Sequence, residues 1–280
     1  VGQEAAAGRV AFGNERVGVH LDYFRRNTDD VEIPGFAESD ITRALEEEEH
    51  QDEEGEDEHE EEEEAFGVVE NTDSETDGGA VGLSLTGDRG FLGVALSTFN
   101  SNYGIPGHHP HHEEGEEGGE EPDEEEEEDV RIDLDQQRVD VRGEYAFDGP
   151  IRLARLRLAR NDYEHVELEG SEVGTRFDTT GTDARLELRH ADVGRLEGAF
   201  GLQFQRTDFA AVGEEAFVPS SDTRRTSLFA FEEYPLSDTW TLQMSGRAER
   251  QTIDVAAAVG PGYEDTAFGA SIGAIWALTD

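Results

Sequence analysis

The segment Phe268-Gly269-Ala270-Ser271-Ile272-Gly273-Ala274-Ile275-Trp276-Ala277-Leu278 alternates with a period of two. Phe268, Ala270, Ile272, Ala274, Trp276 and Leu278 share one parity, and Ala267, Gly269, Ser271 and Gly273 share the other. Successive side chains of a strand point to opposite faces, so this is a strand with one greasy and one small face. The same division recurs upstream. Trp240, Leu242, Met244, Gly246 and Ala248 alternate with Thr241, Gln243, Ser245, Arg247 and Glu249. Leu196, Phe200, Leu202 and Phe204 oppose Glu197, Gln203 and Gln205, and Leu92, Val94 and Leu96 oppose Gly93, Ala95 and Ser97. Four independent copies of this period argue against helix. Between 130 and 145 and between 151 and 160 the apolar parity switches, which predicts a bulge or a shifted boundary.

Extended along the chain, the pattern gives about eleven strands, near 2–12, 17–27, 76–86, 91–102, 130–146, 151–165, 175–190, 196–208, 223–236, 240–251 and 265–278. Short turns at 13–16, 87–90, 147–150, 191–195 and 237–239 alternate with long connections at 28–75, 101–129, 164–174, 208–222 and 252–264. In an antiparallel meander such alternation puts every short turn at one end and every long loop at the other, as in outer-membrane barrels. About 9 to 11 tilted residues of strand cross the hydrocarbon, which fits these lengths. Trp240, Tyr234 and Trp276 fall near strand ends, where interfacial aromatic belts occur. The expected fold is all-β, an antiparallel up-and-down transmembrane β-barrel. An odd strand count with two bare edges marks it as an incomplete fragment of a larger barrel. Residues 1–280 form one partial barrel domain with acidic loops at about 28–75 and 101–129. Alternation alone also suits a soluble, salt-adapted acidic β protein whose greasy face is its core.

Composition narrows the function. The formal net charge is -46, there is no cysteine, and all 22 basic residues are Arg. Disulfide scaffolds, thiolate metal sites and basic nucleic-acid-binding surfaces are thereby excluded, and no nucleic acid is expected as partner. Acid excess without Lys is also a composition suited to high salt. No apolar run reaches 18 residues, and the first residues carry no signal-peptide pattern. There is no HExxH, no GxSxG and no phosphate-cradling glycine loop, so an enzyme is not expected and no cofactor is required.

Two segments are low-complexity. Residues 46–64 are almost all Glu and Asp around His50 and His59, and residues 113–129 are Glu and Asp broken by glycines and Pro122. Blocks of like charge repel and cannot form a core. Between them, His108, His109, His111 and His112 lie within five positions and are followed by Glu113 and Glu114. Imidazole suits zinc, copper, nickel and iron, and carboxylate can complete a zinc shell, so this cluster is a candidate metal site. Its mid-chain position separates it from a terminal affinity tag. His50 and His59 are secondary candidates. Glu164 and His165 form a further pair at a loop-side strand end that could line a metal's path. His20 shares the polar parity with Asp22, and His190 shares parity with Leu186 and Leu188 near a short turn, which suggests a structural role.

Several phrases resemble a known family. Asp22–Asp40 (DYFRRNTDDVEIPGFAESD), Arg89–Gly107 (RGFLGVALSTFNSNYGIPG), Val130–Glu144 (VRIDLDQQRVDVRGE), Asn161–Phe177 (NDYEHVELEGSEVGTRF) and Gly213–Tyr234 (GEEAFVPSSDTRRTSLFAFEEY) resemble the barrel of TonB-dependent outer-membrane receptors, in particular the zinc-uptake branch. The resemblance implies a 22-stranded barrel filled by an N-terminal plug. It also implies metal capture by histidine-rich external loops and inward transport energised by the TonB complex. A plug, a TonB box and the closing strands have no counterpart in these 280 residues, and the loops carry mostly Glu where that branch carries His. The expected cargo is zinc or another divalent cation. The alternatives are a metal chelate, a siderophore or another metal.

Overall fold

A computed structural model describes residues 2–37, 39, 41, 65–106, 129–213, 216–256 and 260–278. Eleven strands form one antiparallel sheet. They are β1 (Gln3–Gly13), β2 (Val17–Thr28), β5 (Ser74–Gly87), β6 (Gly90–Gly104), β7 (Val130–Ala146), β8 (Ile151–Glu169), β9 (Glu172–His190), β10 (Glu197–Gly213), β11 (Ser221–Pro235), β12 (Trp240–Val255) and β13 (Tyr263–Trp276). Sheet order follows chain order, so the architecture is a meander, and β1 and β13 stand at its two open edges. The expected strands are thus present with ends moved by a few residues.

The register sorts side chains into two faces. Leu156, Leu186, Leu202 and Leu228 lie opposite one another on four successive strands, and the row continues through Ala248 to Phe268. The neighbouring parity carries Arg157, Arg185, Gln203, Ser227 and Glu249 in an equivalent row. Among the described residues the only buried hydrophobics are Val130 and Ile132, while Leu228, Phe268 and Ile272 are 62%, 81% and 75% exposed. A water-soluble β protein buries its greasy face against a second layer. Here that face is bare along the whole sheet, a far larger apolar surface than soluble monomers present.

Two expectations about the connections change, and one about a strand. The connection at 164–174 is a tight Gly170–Ser171 turn, because β8 and β9 keep pairing as far as Glu169 opposite Glu172. Val166, Leu168 and Val173 sustain the extended pattern there, and Gly170 takes the left-handed conformation (φ 54°) that the turn needs. Strict alternation of short and long connections fails at this point. The segment 28–75 carries a second, two-stranded sheet of β3 (Val31–Phe36) and β4 (Phe66–Val69), with Phe36 and Phe66 ring centroids 4.7 Å apart. The parity switch in β7 is no bulge, since its pairing with both neighbours is unbroken. Its lower half places Val139 and Val141 on the apolar face, and its upper end places Val130 and Ile132 on the polar face, where they are buried. In β8 the register does shift, between Ile151 and Leu153.

Candidate functional site at the loop end of the sheet

The loop end is organised around Asn71, Asp73 and Arg131. Asn71 sits at φ 53°, a left-handed conformation that asparagine tolerates better than most residues. Its amide donates to the carbonyls of Ile105 (3.1 Å) and Val130 (2.9 Å). Arg131 donates through both terminal nitrogens to the Asp73 carboxylate, at 2.8 and 3.0 Å, and also to Asn102 Oδ1 at 2.9 and 3.0 Å. The planar guanidinium fork suits this two-pronged contact. Its hydrogen bonds hold the Asp73 carboxyl below the usual carboxylate range. Asp30 Oδ1 accepts from the backbone nitrogens of Thr72 (2.9 Å) and Asp73 (3.0 Å), closing the base of the β3–β4 excursion. Gly104 has to be glycine, because an added Cβ would overlap the side chain and carbonyl of Asn71. One network therefore binds the described residues flanking both acidic segments, at 65–73 and at 102–106 and 129–131.

Below this network, on the polar parity, lies an aromatic patch. His165 stacks on Phe177 with centroids 4.4 Å apart and rings 19° from parallel, and it meets Tyr163 edge-on at 5.5 Å. Phe209 lies 6.5 Å beyond Phe177. His165 Nδ1 is buried and finds no hydrogen-bond partner among the described residues. Glu164, one residue earlier, projects from the opposite face and is ion-paired with Arg176. The structure thus does not bring Glu164 and His165 together: neighbours in a strand cannot ligate one ion from the same side.

His108, His109, His111, His112, Glu113, Glu114, His50 and His59 lie outside the described residues. Among the described residues no group of three or more His, Asp or Glu side chains is gathered to hold a metal. His20 and Asp22 are hydrogen-bonded on the polar face, as their shared parity predicts. His190 Nε2 contacts Glu232 at 3.0 Å and its Nδ1 lies 2.7 Å from the Ala191 carbonyl, a structural arrangement at the turn end.

Sequence reasoning missed Asn71, Asp73, Arg131 and the aromatic partners of His165. Asp73 and Arg131 are separated by 58 positions, and only the register of β5, β6 and β7 makes them neighbours. Phe177 could have been found once His165 was placed, since the two are opposite each other on adjacent strands.

A family model described as the TonB dependent receptor-like β-barrel matches residues 66–280. The chain belongs to the TonB-dependent receptor β-barrel family. Solved structures share the fold at low identity. The FrpB iron transporter from Neisseria meningitidis superposes with a TM-score of 0.69 at 9% identity, covering 99% of this chain and 43% of its own. The alcaligin outer-membrane receptor FauA from Bordetella pertussis gives 0.60 at 12% identity, with 99% and 39% covered. The copper transporter OprC gives 0.67 at 10% identity, with 99% and 42% covered. The chain spans about two fifths of the length of these solved proteins, and its open sheet is an incomplete stretch of their kind of barrel.

Proposed function

We propose that this chain is the barrel wall of an outer-membrane TonB-dependent receptor that captures and takes up zinc. The long connections face the cell exterior and the polar face lines the lumen. The membrane placement is supported by the bare apolar face and by where that face ends. Beyond the leucine row, toward the loop end, the same parity turns to the ion pairs Arg160–Asp162, Arg206–Asp208 and Arg250–Glu264. An apolar band capped by charge is what a strand longer than the hydrocarbon needs, and β8 and β9 have 19 residues each. TonB engages such receptors through a plug, which would be supplied from elsewhere in the protein.

The observation that carries the metal reading is the Asn71–Asp73–Arg131 network, which ties together the described residues on either side of the two acidic, histidine-bearing stretches of sequence. A common base would let His108, His109, His111 and His112, with Glu113 and Glu114, act beside His50 and His59 over one barrel mouth. His165, with its unpartnered Nδ1, lies deeper on the polar face and would be a later stopping point. Titration calorimetry with zinc at neutral pH should show binding that is lost when the four clustered histidines become Ala. Unchanged binding in that variant would remove the assignment. Binding should also weaken as imidazole protonates, because only the neutral ring coordinates.

A second reading keeps the receptor and changes the cargo to a metal chelate, a siderophore or another metal. It is favoured by the aromatic patch of Tyr163, Phe177 and Phe209, which offers a flat apolar surface to an organic ligand rather than donor atoms to a bare ion. Competition of copper, nickel and ferric chelates against zinc separates the two.

A further inference from the structure

The apolar face is not smooth at its short-turn end. Leu85, Leu92, Gly143 and Leu156 lie opposite one another on β5, β6, β7 and β8, so the leucine row is interrupted by a glycine. One level nearer the turns, Gly90, Tyr145 and Ala154 face one another in the same way. The result is a groove of about 610 Å³, floored by Gly90, Gly143 and Ala154 and walled by Leu92, Leu156 and Tyr145. Leu92 Cδ1 stands 3.4 Å from where a Cβ on Gly143 would be, so a larger residue there would fill the groove. All four strands are paired on both sides, and the groove lies on the face turned away from the polar side chains. At its turn end the carbonyl of Arg89 accepts from the Ala146 backbone nitrogen at 2.6 Å, which holds two neighbouring short turns side by side. The Arg89 guanidinium is ion-paired with Asp148, both side chains well exposed, and Phe147 meets Tyr145 edge-on at 4.8 Å.

We infer that this groove seats one acyl chain of a phospholipid of the periplasm-facing leaflet, whose phosphate and primary ammonium are held at Arg89 and Asp148. The inference rests on the membrane reading proposed above, but not on any cargo. Hydrocarbon walls with a polar pair confined to one end match an amphiphile lying along the strands rather than a compact solute. The volume falls within the ~300–1,000 Å³ typical of small-molecule pockets. An arginine fork suits a phosphate and a carboxylate accepts from an ammonium, so the Arg89–Asp148 pair is complementary to a zwitterion. Arg89 engages Asp148 through one terminal nitrogen, so other N–H donors of its fork remain for a phosphate. A purely anionic headgroup would leave Asp148 facing like charge, with Asp88 exposed in the same turn as Arg89. Tyr145, at the lip, has the amphipathic ring that suits the boundary between hydrocarbon and headgroups.

The test uses the protein folded in detergent micelles, offered phosphatidylethanolamine, phosphatidylcholine and phosphatidylglycerol with identical acyl chains, and read by native mass spectrometry. One phosphatidylethanolamine should be retained roughly threefold or more above the other two, an advantage in keeping with an exposed charge pair. R89Q/D148N should level the three lipids, whereas D192N/R195Q, the same neutralisation at another short turn, should keep the preference. G143L should lower retention of phosphatidylethanolamine, and it decides the matter if the turn variant fails to assemble. Equal retention of the three lipids by the unaltered protein, a preference that survives R89Q/D148N, or retention unchanged in G143L would overturn the site. A dimer that G143L dissociates would assign the groove to a second copy of the chain instead. Flotation with lipid vesicles separates the two failures: no lipid preference in protein that floats removes the groove alone, and protein that does not float removes the membrane reading.

Discussion

The apolar band and the rim above it are built by different physics, although the same strands supply both. The band is repetitive. Leu156, Leu186, Leu202 and Leu228 are interchangeable in kind, and in the proposed membrane setting they present hydrocarbon to an apolar medium over several strands. The rim is singular. Asn71, Asp73, Gly104 and Arg131 each have a particular conformation or partner, and none could be exchanged for a residue of similar polarity. A repeated surface tolerates conservative change anywhere and charge nowhere, whereas a specific network fails at single positions and only locally.

The largest expected effect is on the band. Leu202→Arg puts a charge at the centre of the leucine row and should cost about 2–4 kcal/mol of membrane-folded stability. Folding into lipid vesicles, followed by heat-modifiable gel migration against urea, measures it. A loss close to zero would show that the face is covered by protein rather than lipid. Next comes Gly104→Val, whose side chain cannot fit beside Asn71. It should leave the midpoint of global unfolding nearly unchanged, yet speed proteolytic cleavage around 105–106 several-fold. Global destabilisation instead would mean that rim and band are one cooperative unit. The smallest effect is the pH response of the rim. Asp73 is held below the usual carboxylate range by Arg131, so its contribution is complete above the ordinary carboxylate value and disappears as pH falls through the depressed one. Protection of the rim from an acid protease should fall in that acidic window, and Asp73→Asn should abolish the dependence while sparing the band.

Much of the band was legible because period-two alternation is local information, readable from five or six residues at a time. The strand that carries Phe268 to Trp276 could be assigned without knowing its neighbour. The connection at 164–174 was misjudged for a related reason: Glu164, Glu167, Glu169 and Glu172 read as loop, but the backbone ladder with the facing strand outweighs the weak strand preference of glutamate. The β3–β4 pair was hidden because six- and four-residue strands, separated by a long acidic run, carry too little pattern.

His165 shows the limit for the site. Its place at a loop-side strand end was readable, and pairing it with Glu164 followed from adjacency. Alternation of side chains then separates the two, giving His165 to Phe177 and Tyr163 and Glu164 to Arg176. The sequence by itself determined the eleven strands of the main sheet, their two faces and the supply of metal-ligating residues, since each of these depends on residue type and short-range spacing. Only the tertiary structure decided which side chains meet, namely Asp73 with Arg131 and Arg185 with Phe229. Those meetings depend on register between strands distant in sequence, and a shift of one residue would send every one of them to the opposite face.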